Sequence, residues 1–189
     1  AVVKNPPRFL AHALDAIRYI ELDEMLRSLS YHPTGEAISL TELLAEVETS
    51  LDIEPTPNRG IYDHAICDSQ PERDFAHDAD RDGQVVCFLK LPEFYEIPTP
   101  IGNYQPDFGL VLRRRSIRTD SENDYYFVIE TKSTNNIDDT RALTESERMK
   151  IKCALKHFEA LQIEAKLDYL PYKAPVKEYK GDFKETLPV

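Results

Sequence analysis

The hydrophobic pattern of this chain begins with a helical period, shortens to that of strands, and lengthens again. From residue 8 to residue 30 the apolar side chains Phe9, Leu10, Ala13, Ile17, Ile20, Met25, Leu26 and Leu29 recur mostly three and four apart, as on an amphipathic helix. Ser39 with Glu42 three residues later predicts a capping box and a second helix running through Val47. Pro55, Thr56, Pro57 and Asn58 end any helix and read as a linker. The pattern then predicts a strand near 60–67, a short helix near 71–81 and a strand near 85–89. Two further runs, 108–112 and 125–129, are aromatic and β-branched and apolar on both faces, as central strands are. The helical period returns from about 142 to 163 on a stripe of Leu143, Glu147, Ile151, Ala154, Leu155, Phe158 and Leu161. The tail from Tyr172 onward reads either as a last strand or as a trailing end. Together these elements predict an α/β fold, a mixed β-sheet flanked by helices, with a helical lead-in over 1–58 and the main domain over 59–189.

The two central runs carry the chemistry. Pro106 and Asp107 open the first, and Glu130, Thr131 and Lys132 close the second. If the runs pair as a hairpin with Leu112 opposite Tyr125, stepping back along both strands brings Asp107 opposite Glu130. Directly opposed residues of an antiparallel pair have Cβ atoms about 4.5–5.5 Å apart, so two carboxylates there repel unless a cation lies between them. Hard ions such as Mg²⁺ take oxygen ligands, commonly one or two carboxylates with water and substrate phosphate. Side chains alternate along a strand, so Glu130 and Lys132 share a face and Thr131 takes the other. A Glu-x-Lys step alone is usually a solvated strand face, and Pro-Asp alone is usually a turn. The apolar runs beside both, and their meeting at one end of one hairpin, favour a metal-dependent phosphodiesterase site.

Composition narrows the setting. A chain of 189 residues, 41% hydrophobic, holds one domain with a sizeable core. The sequence contains no apolar stretch near the roughly 20 residues that span a bilayer, and its start lacks the zones of a signal peptide, so a cytoplasmic protein is expected. Cys67, Cys87 and Cys153 are sparse and odd in number, which argues against a disulfide framework. The net charge of −11 disfavours strong DNA binding by the chain alone, because affinity for duplex comes mainly from cations that displace counterions at phosphates. Local positive charge stands at Arg113, Arg114 and Arg115 with Arg118, a candidate DNA contact at the far end of the hairpin, and along the later helix at Lys150, Lys152 and Lys156.

The stretch from Ile97 through Asn103, Tyr104, Gln105, Pro106 and Asp107, followed by Tyr126, Phe127, Val128, Ile129, Glu130, Thr131 and Lys132, resembles the PD-(D/E)xK nuclease domain at the end of type III restriction enzyme Res subunits. Gly60 to His64, Glu72 with Phe75 and Ala76, Phe88 to Pro92, and Glu147 with Lys150, Ile151, Cys153, His157 and Phe158 fall in the order of that family, so the resemblance covers about 59–160. Ser133 departs from it, standing where glycine is common. The resemblance implies a restriction-endonuclease-like core and Mg-dependent hydrolysis of double-stranded DNA to a 5′-phosphate and a 3′-hydroxyl, with Mn²⁺ as a substitute metal. Asp107, Glu130 and Lys132 would be catalytic. Asp107, Glu130, the Thr131 carbonyl and Glu72 would serve the metal, with Glu147 and Lys150 as accessories. It also implies a helicase motor preceding this domain and a modification (methyltransferase) subunit as partners. ATP would serve only the motor, since this sequence has no Gly-x-x-x-x-Gly-Lys-[Ser/Thr] loop.

Glu72 has a structural alternative, since Ser69 three residues earlier and Pro71 in the first turn make it a capping-box glutamate. Glu147 likewise either salt-bridges at its helix start or reaches the site with Lys150. The main rival class is a calcium-binding module, because Asp78, Asp80, Asp82 and Gly83 open like an EF-hand loop. Leu89 at the twelfth position, where a bidentate glutamate is required, and the strand-like residues after Gly83 count against it. His64, Cys67, His77 and Cys87 lack the paired spacing of a zinc site. A silent nuclease-like docking or structural module is the third class, disfavoured by three charged groups at one sheet edge, where charges without partners are costly.

Overall fold

The protein is seen in a computed structural model that describes residues 5–35, 53–115 and 122–186. Helix α1 (Pro6–Ser28) leads into a short antiparallel ribbon of β1 (Ile53–Pro55) and β2 (His64–Ile66), followed by helix α2 (Gln70–Arg81). The main sheet has the order β3-β4-β5-β6, from β3 (Val85–Lys90), β4 (Phe108–Arg115), β5 (Glu122–Thr131) and β6 (Tyr172–Val176). Its first three strands are antiparallel neighbours, and β6 joins β5 in parallel. Parallel neighbours need a long crossover. Here it contains helix α3 (Glu145–Ala165).

Alternation along the strands sorts the core into two layers. Phe127 and Ile129 of β5 pack with Phe108, Leu110 and Leu112 of β4 against Phe75, Ala76 and Ala79 of α2 and Phe183 of a C-terminal π-helical turn. Val128 joins the second cluster, with Ile97, Tyr104, Tyr172 and the α3 residues Ile151, Ala154 and Phe158. A helix therefore covers each face of the sheet, as the α/β pattern predicts. Both helices start at side-chain caps. The Ser69 hydroxyl accepts the Glu72 N–H. Thr144 and Glu147 close a reciprocal capping box, so α3 begins at Glu145 while Leu143, just outside it, is buried.

The 55–58 stretch expected as a linker is instead built into the domain. Pro55 pairs with His64, Thr56 is buried, and its hydroxyl donates to the Tyr62 carbonyl at 2.9 Å. A Cβ on Gly60 would meet the Tyr62 carbonyl at 2.6 Å as well as the Thr56 side chain, so the chain closes here only with glycine. The turn is anchored by Asp80 of α2. Its carboxylate accepts the backbone N–H groups of Asn58 at 2.9 Å and Arg59 at 2.7 Å, and the Asn58 side-chain amide at 2.6 Å. The Asp-rich run thus serves as a helix end. Asp82, which caps α2, accepts from Gln84 N–H, the Tyr179 hydroxyl and the Lys184 ammonium.

Helix α1 forms where expected, but its apolar stripe is not core. Phe9, Leu10, Ile17 and Ile20 are each about half exposed or more, while beyond the end of the helix Tyr31 packs edge-on against His157 and donates to the Pro98 carbonyl. The second helix expected near 39–47, like Arg118, lies outside the described residues. Among the described residues no helix is long and apolar enough to cross a membrane.

Asp80 tests this anchoring. Burial alone would raise its pKa, but the bonds from Arg59, Asn58 and Gly60 overcome burial and hold it below the ordinary carboxylate value. A depressed folded-state pKa contributes stability above the unfolded value and loses it as pH falls. Asp80→Ala is expected to lower unfolding free energy in urea by about 2–4 kcal/mol at neutral pH, through the donors it strands. The difference from wild type should shrink in acid.

Candidate functional site

The β4–β5 ladder has the register expected from sequence, with Leu112 opposite Tyr125 and Phe108 opposite Ile129. The ladder ends there, and beyond it Asp107 and Glu130 lie close enough for the charge of Asp107 to raise the pKa of Glu130. The backbone of Asp107 is held from both sides, its N–H donating to the Ile129 carbonyl at 3.0 Å and its carbonyl accepting Leu91 N–H at 2.8 Å. Pro106 before it is fully buried and supplies no competing donor.

The two carboxylates have different surroundings. Asp107 Oδ2 accepts both the N–H and the hydroxyl of Thr131, each at 2.7 Å, and Oδ1 accepts the Lys90 ammonium at 2.9 Å. Glu130 is 4% exposed. Its Oε1 lies 2.9 Å from the Lys132 ammonium, while its Oε2 is buried with no hydrogen-bond partner. The Tyr104 hydroxyl meets the Tyr172 hydroxyl at 2.6 Å and also faces the Glu130 carboxylate, which it helps to hold ionised. Burial, reinforced by the charge of Asp107 and only partly offset by Lys132, pushes the Glu130 carboxyl up to about 7. Lys132 is pulled the other way: burial favours its neutral form, but Glu130, Asp107 and Glu147 outweigh this and keep it charged.

Of the remaining predicted residues, Glu72, Glu147 and Lys150 lie near this pair and the arginines lie apart from it. Glu72 takes the structural role at its helix start, its carboxylate accepting the Ser69 hydroxyl and Asp68 N–H, and it also pairs with the Lys90 ammonium at 2.6 Å, which stands against Asp107. Glu147 caps α3 and extends its other oxygen to Lys132 at 3.4 Å. Lys150 donates to the Asn103 carbonyl at 2.7 Å. Arg113 sits opposite Asp124 and forks onto it at 2.7 and 2.9 Å, and Arg114 donates to the Lys184 carbonyl. The arginine run, Arg115 included, lies at the end of β4 away from Asp107.

Charge is therefore organised as two chains, Glu72–Lys90–Asp107 and Glu130–Lys132–Glu147, rather than as one carboxylate cage. Among the described residues no three His, Cys, Asp or Glu side chains form a group able to hold a metal by themselves. The pair Asp107 and Glu130 still suits a hard divalent ion, which needs only one or two carboxylates beside water and phosphate. The partnerless Glu130 Oε2 is an oxygen that such an ion would satisfy. Two clefts open here. One, of about 660 Å³, is lined by Asp107, Lys90, Gln105, His64 and Asp68. The other, of about 280 Å³, is lined by Glu130, Tyr104, Gln105, Glu147 and Lys150. Lys90 and Tyr104 were not singled out from sequence as site residues. Lys90 carried one signal, a charged residue ending the otherwise apolar β3.

Glu130 sets a pH dependence. Its folded-state pKa is raised above the unfolded value, so the stability it contributes is fully present below that value and is lost as pH rises toward about 7. In chelator the unfolding free energy of wild type, measured in urea, should fall between pH 5 and pH 8 by an amount on the order of 3 kcal/mol. That fall should be largely absent in Glu130→Gln. A parallel fall in both proteins would mean that Glu130 is not the group titrating.

Comparison with curated proteins and with solved structures gave no match. Against protein families, the model of an endonuclease domain matches residues 58–179. That match takes in more than half of the chain, both carboxylate-bearing strands, α3 and β6, and by it the chain belongs to the endonuclease-domain family.

Proposed function

We propose that this domain hydrolyses phosphodiester bonds of double-stranded DNA with Mg²⁺, as the nuclease portion of a type III restriction enzyme. The observation that carries the proposal is the nearness of Asp107 to Glu130, one oxygen of Glu130 being buried without a hydrogen-bond partner while Lys132 pairs with the other. The type III assignment rests on the resemblance over 59–160, and with it come the partner roles of a helicase motor and a modification subunit.

Asp107, Glu130 and the Thr131 carbonyl are the ligands proposed for the ion. When bound, Mg²⁺ supplies Lewis acidity at the scissile phosphate and a water of lowered pKa, and Mn²⁺ substitutes for it. Thr131 fixes the Asp107 carboxylate through two hydrogen bonds, so one anionic ligand is oriented before substrate arrives. Lys132 is held in place by Glu130 and Glu147, and its ammonium stabilises negative charge that grows on the phosphate oxygens during attack. The surrounding polar groups, Lys150 and Gln105, line the clefts through which a strand of DNA reaches the carboxylates.

Substitution of the site separates chemistry from folding. Asp107→Ala and Glu130→Ala are expected to abolish cleavage by the intact enzyme while the domain keeps its circular dichroism and melting transition. Lys132→Ala should lower the cleavage rate by on the order of 10²–10³. Unchanged cutting by either carboxylate variant would end the assignment.

DNA affinity is expected to lie elsewhere than in this chain. With a net charge of −11 and Arg113 already bonded to Asp124, the chain offers few cations for counterion release. In a gel-shift titration at about 150 mM salt it should bind duplex weakly, with a shallow salt slope. Tight sequence-independent binding under those conditions would contradict this account.

A further inference from the structure

We propose that the Lys90 ammonium is a built-in counter-cation, filling the space between Glu72 and Asp107 that a second divalent ion would take, so that the centre holds a single metal at Asp107 and Glu130. The inference rests on the metal-dependent reading above and deepens it. Two-metal phosphodiesterase sites place ions about 3.5–4 Å apart, bridged by a shared carboxylate. Asp107 is the residue placed to be shared here, since it lies between Glu130 on one side and Glu72 on the other.

The Glu72 side is already occupied by protein. Lys90 Nζ lies 2.6 Å from Glu72 Oε2 and 2.9 Å from Asp107 Oδ1, within hydrogen-bond reach of both carboxylates at once. It also lies 5.3 Å from the centre of the Phe108 ring, whose face favours a cation. Glu72 is further engaged by Ser69 and Asp68, so neither of its oxygens lacks a donor. The Glu130 side differs, with Oε2 buried and without a partner. An ion between Glu72 and Asp107 would have to displace an ammonium anchored at three points, whereas one at Glu130 meets an oxygen with nothing to lose. Lys90 is thus a positioning residue. It neutralises Glu72, orients Asp107 toward the strand end, and sets the metal count, and Glu72 belongs to Lys90 rather than to the ion.

Counting bound Mn²⁺ by electron paramagnetic resonance and calorimetry on the 189-residue chain tests this without recourse to activity. Wild type and Lys90→Arg should each bind one Mn²⁺, and Lys90→Ala two, the second lost again in Lys90→Ala combined with Glu72→Gln. If Lys90→Ala unfolds by itself, millimolar Mn²⁺ should restore its melting transition, because an ion that binds only the folded state stabilises it. Two ions in wild type, one in folded Lys90→Ala, or no restoration by Mn²⁺ would overturn the inference while leaving a metal-dependent nuclease standing. No Mn²⁺ in wild type would overturn both.

Discussion

The register of β4 against β5 is the constraint on which the site depends. Side chains alternate along a strand, so a slip of one residue would send Glu130 and Lys132 to the face now holding Ile129 and Thr131, and would separate Asp107 from its partner across the ladder. Several interactions hold that register together. Phe108, Leu110 and Leu112 are buried with Phe127 and Ile129, so any slip exposes apolar surface on one face and buries charge on the other. At one end Arg113 is locked to Asp124, and at the other Asp107 is locked to Thr131. The arginine run read as a candidate DNA contact thus also has a structural role, in staking the far end of the hairpin.

Electrostatics then decides what the register achieves. Four carboxylates, Glu72, Asp107, Glu130 and Glu147, approach one end of the sheet, and two lysines thread between them. The compensation is uneven. Every oxygen of Asp107 has a donor, while Glu130 keeps one that has none, and burial leaves that carboxyl poised near neutrality. The cost of burying Glu130 is therefore an unfilled demand for positive charge at one defined place.

Much of this was legible from the order of residues. Leu112 opposite Tyr125, the Ser69 cap, and the Glu130–Lys132 face followed from periods of two and of 3.6 and from local hydrogen-bonding rules, which operate within a few residues. What escaped depends on contacts between distant segments. Lys90 is bound to Glu72, eighteen positions before it, and to Asp107, seventeen after it, and nothing in the local sequence records either contact. Asp80, read as one position of an abortive calcium loop, takes its role from Asn58 and Arg59 across a turn that was read as a linker. Helix α1 illustrates the opposite failure. Its periodicity correctly gave a helix, but an apolar stripe says only that a surface is fit for burial, and here Phe9, Leu10 and Ile20 stand exposed.

The parallel pairing of β6 with β5 bears on how the site comes into being during synthesis. Lys132 N–H donates to the Val176 carbonyl, and Thr131 is registered against Val176, so the strand that carries Glu130 and Lys132 is fixed in part by a segment more than forty residues later. A hairpin of β4 and β5 closes from local contacts, whereas the parallel edge waits until α3 has been made and has packed back across the sheet. The end of β5 that presents Lys132 is therefore finished only when β6 lies beside it, which ties the centre to completion of the whole sheet rather than to the hairpin alone.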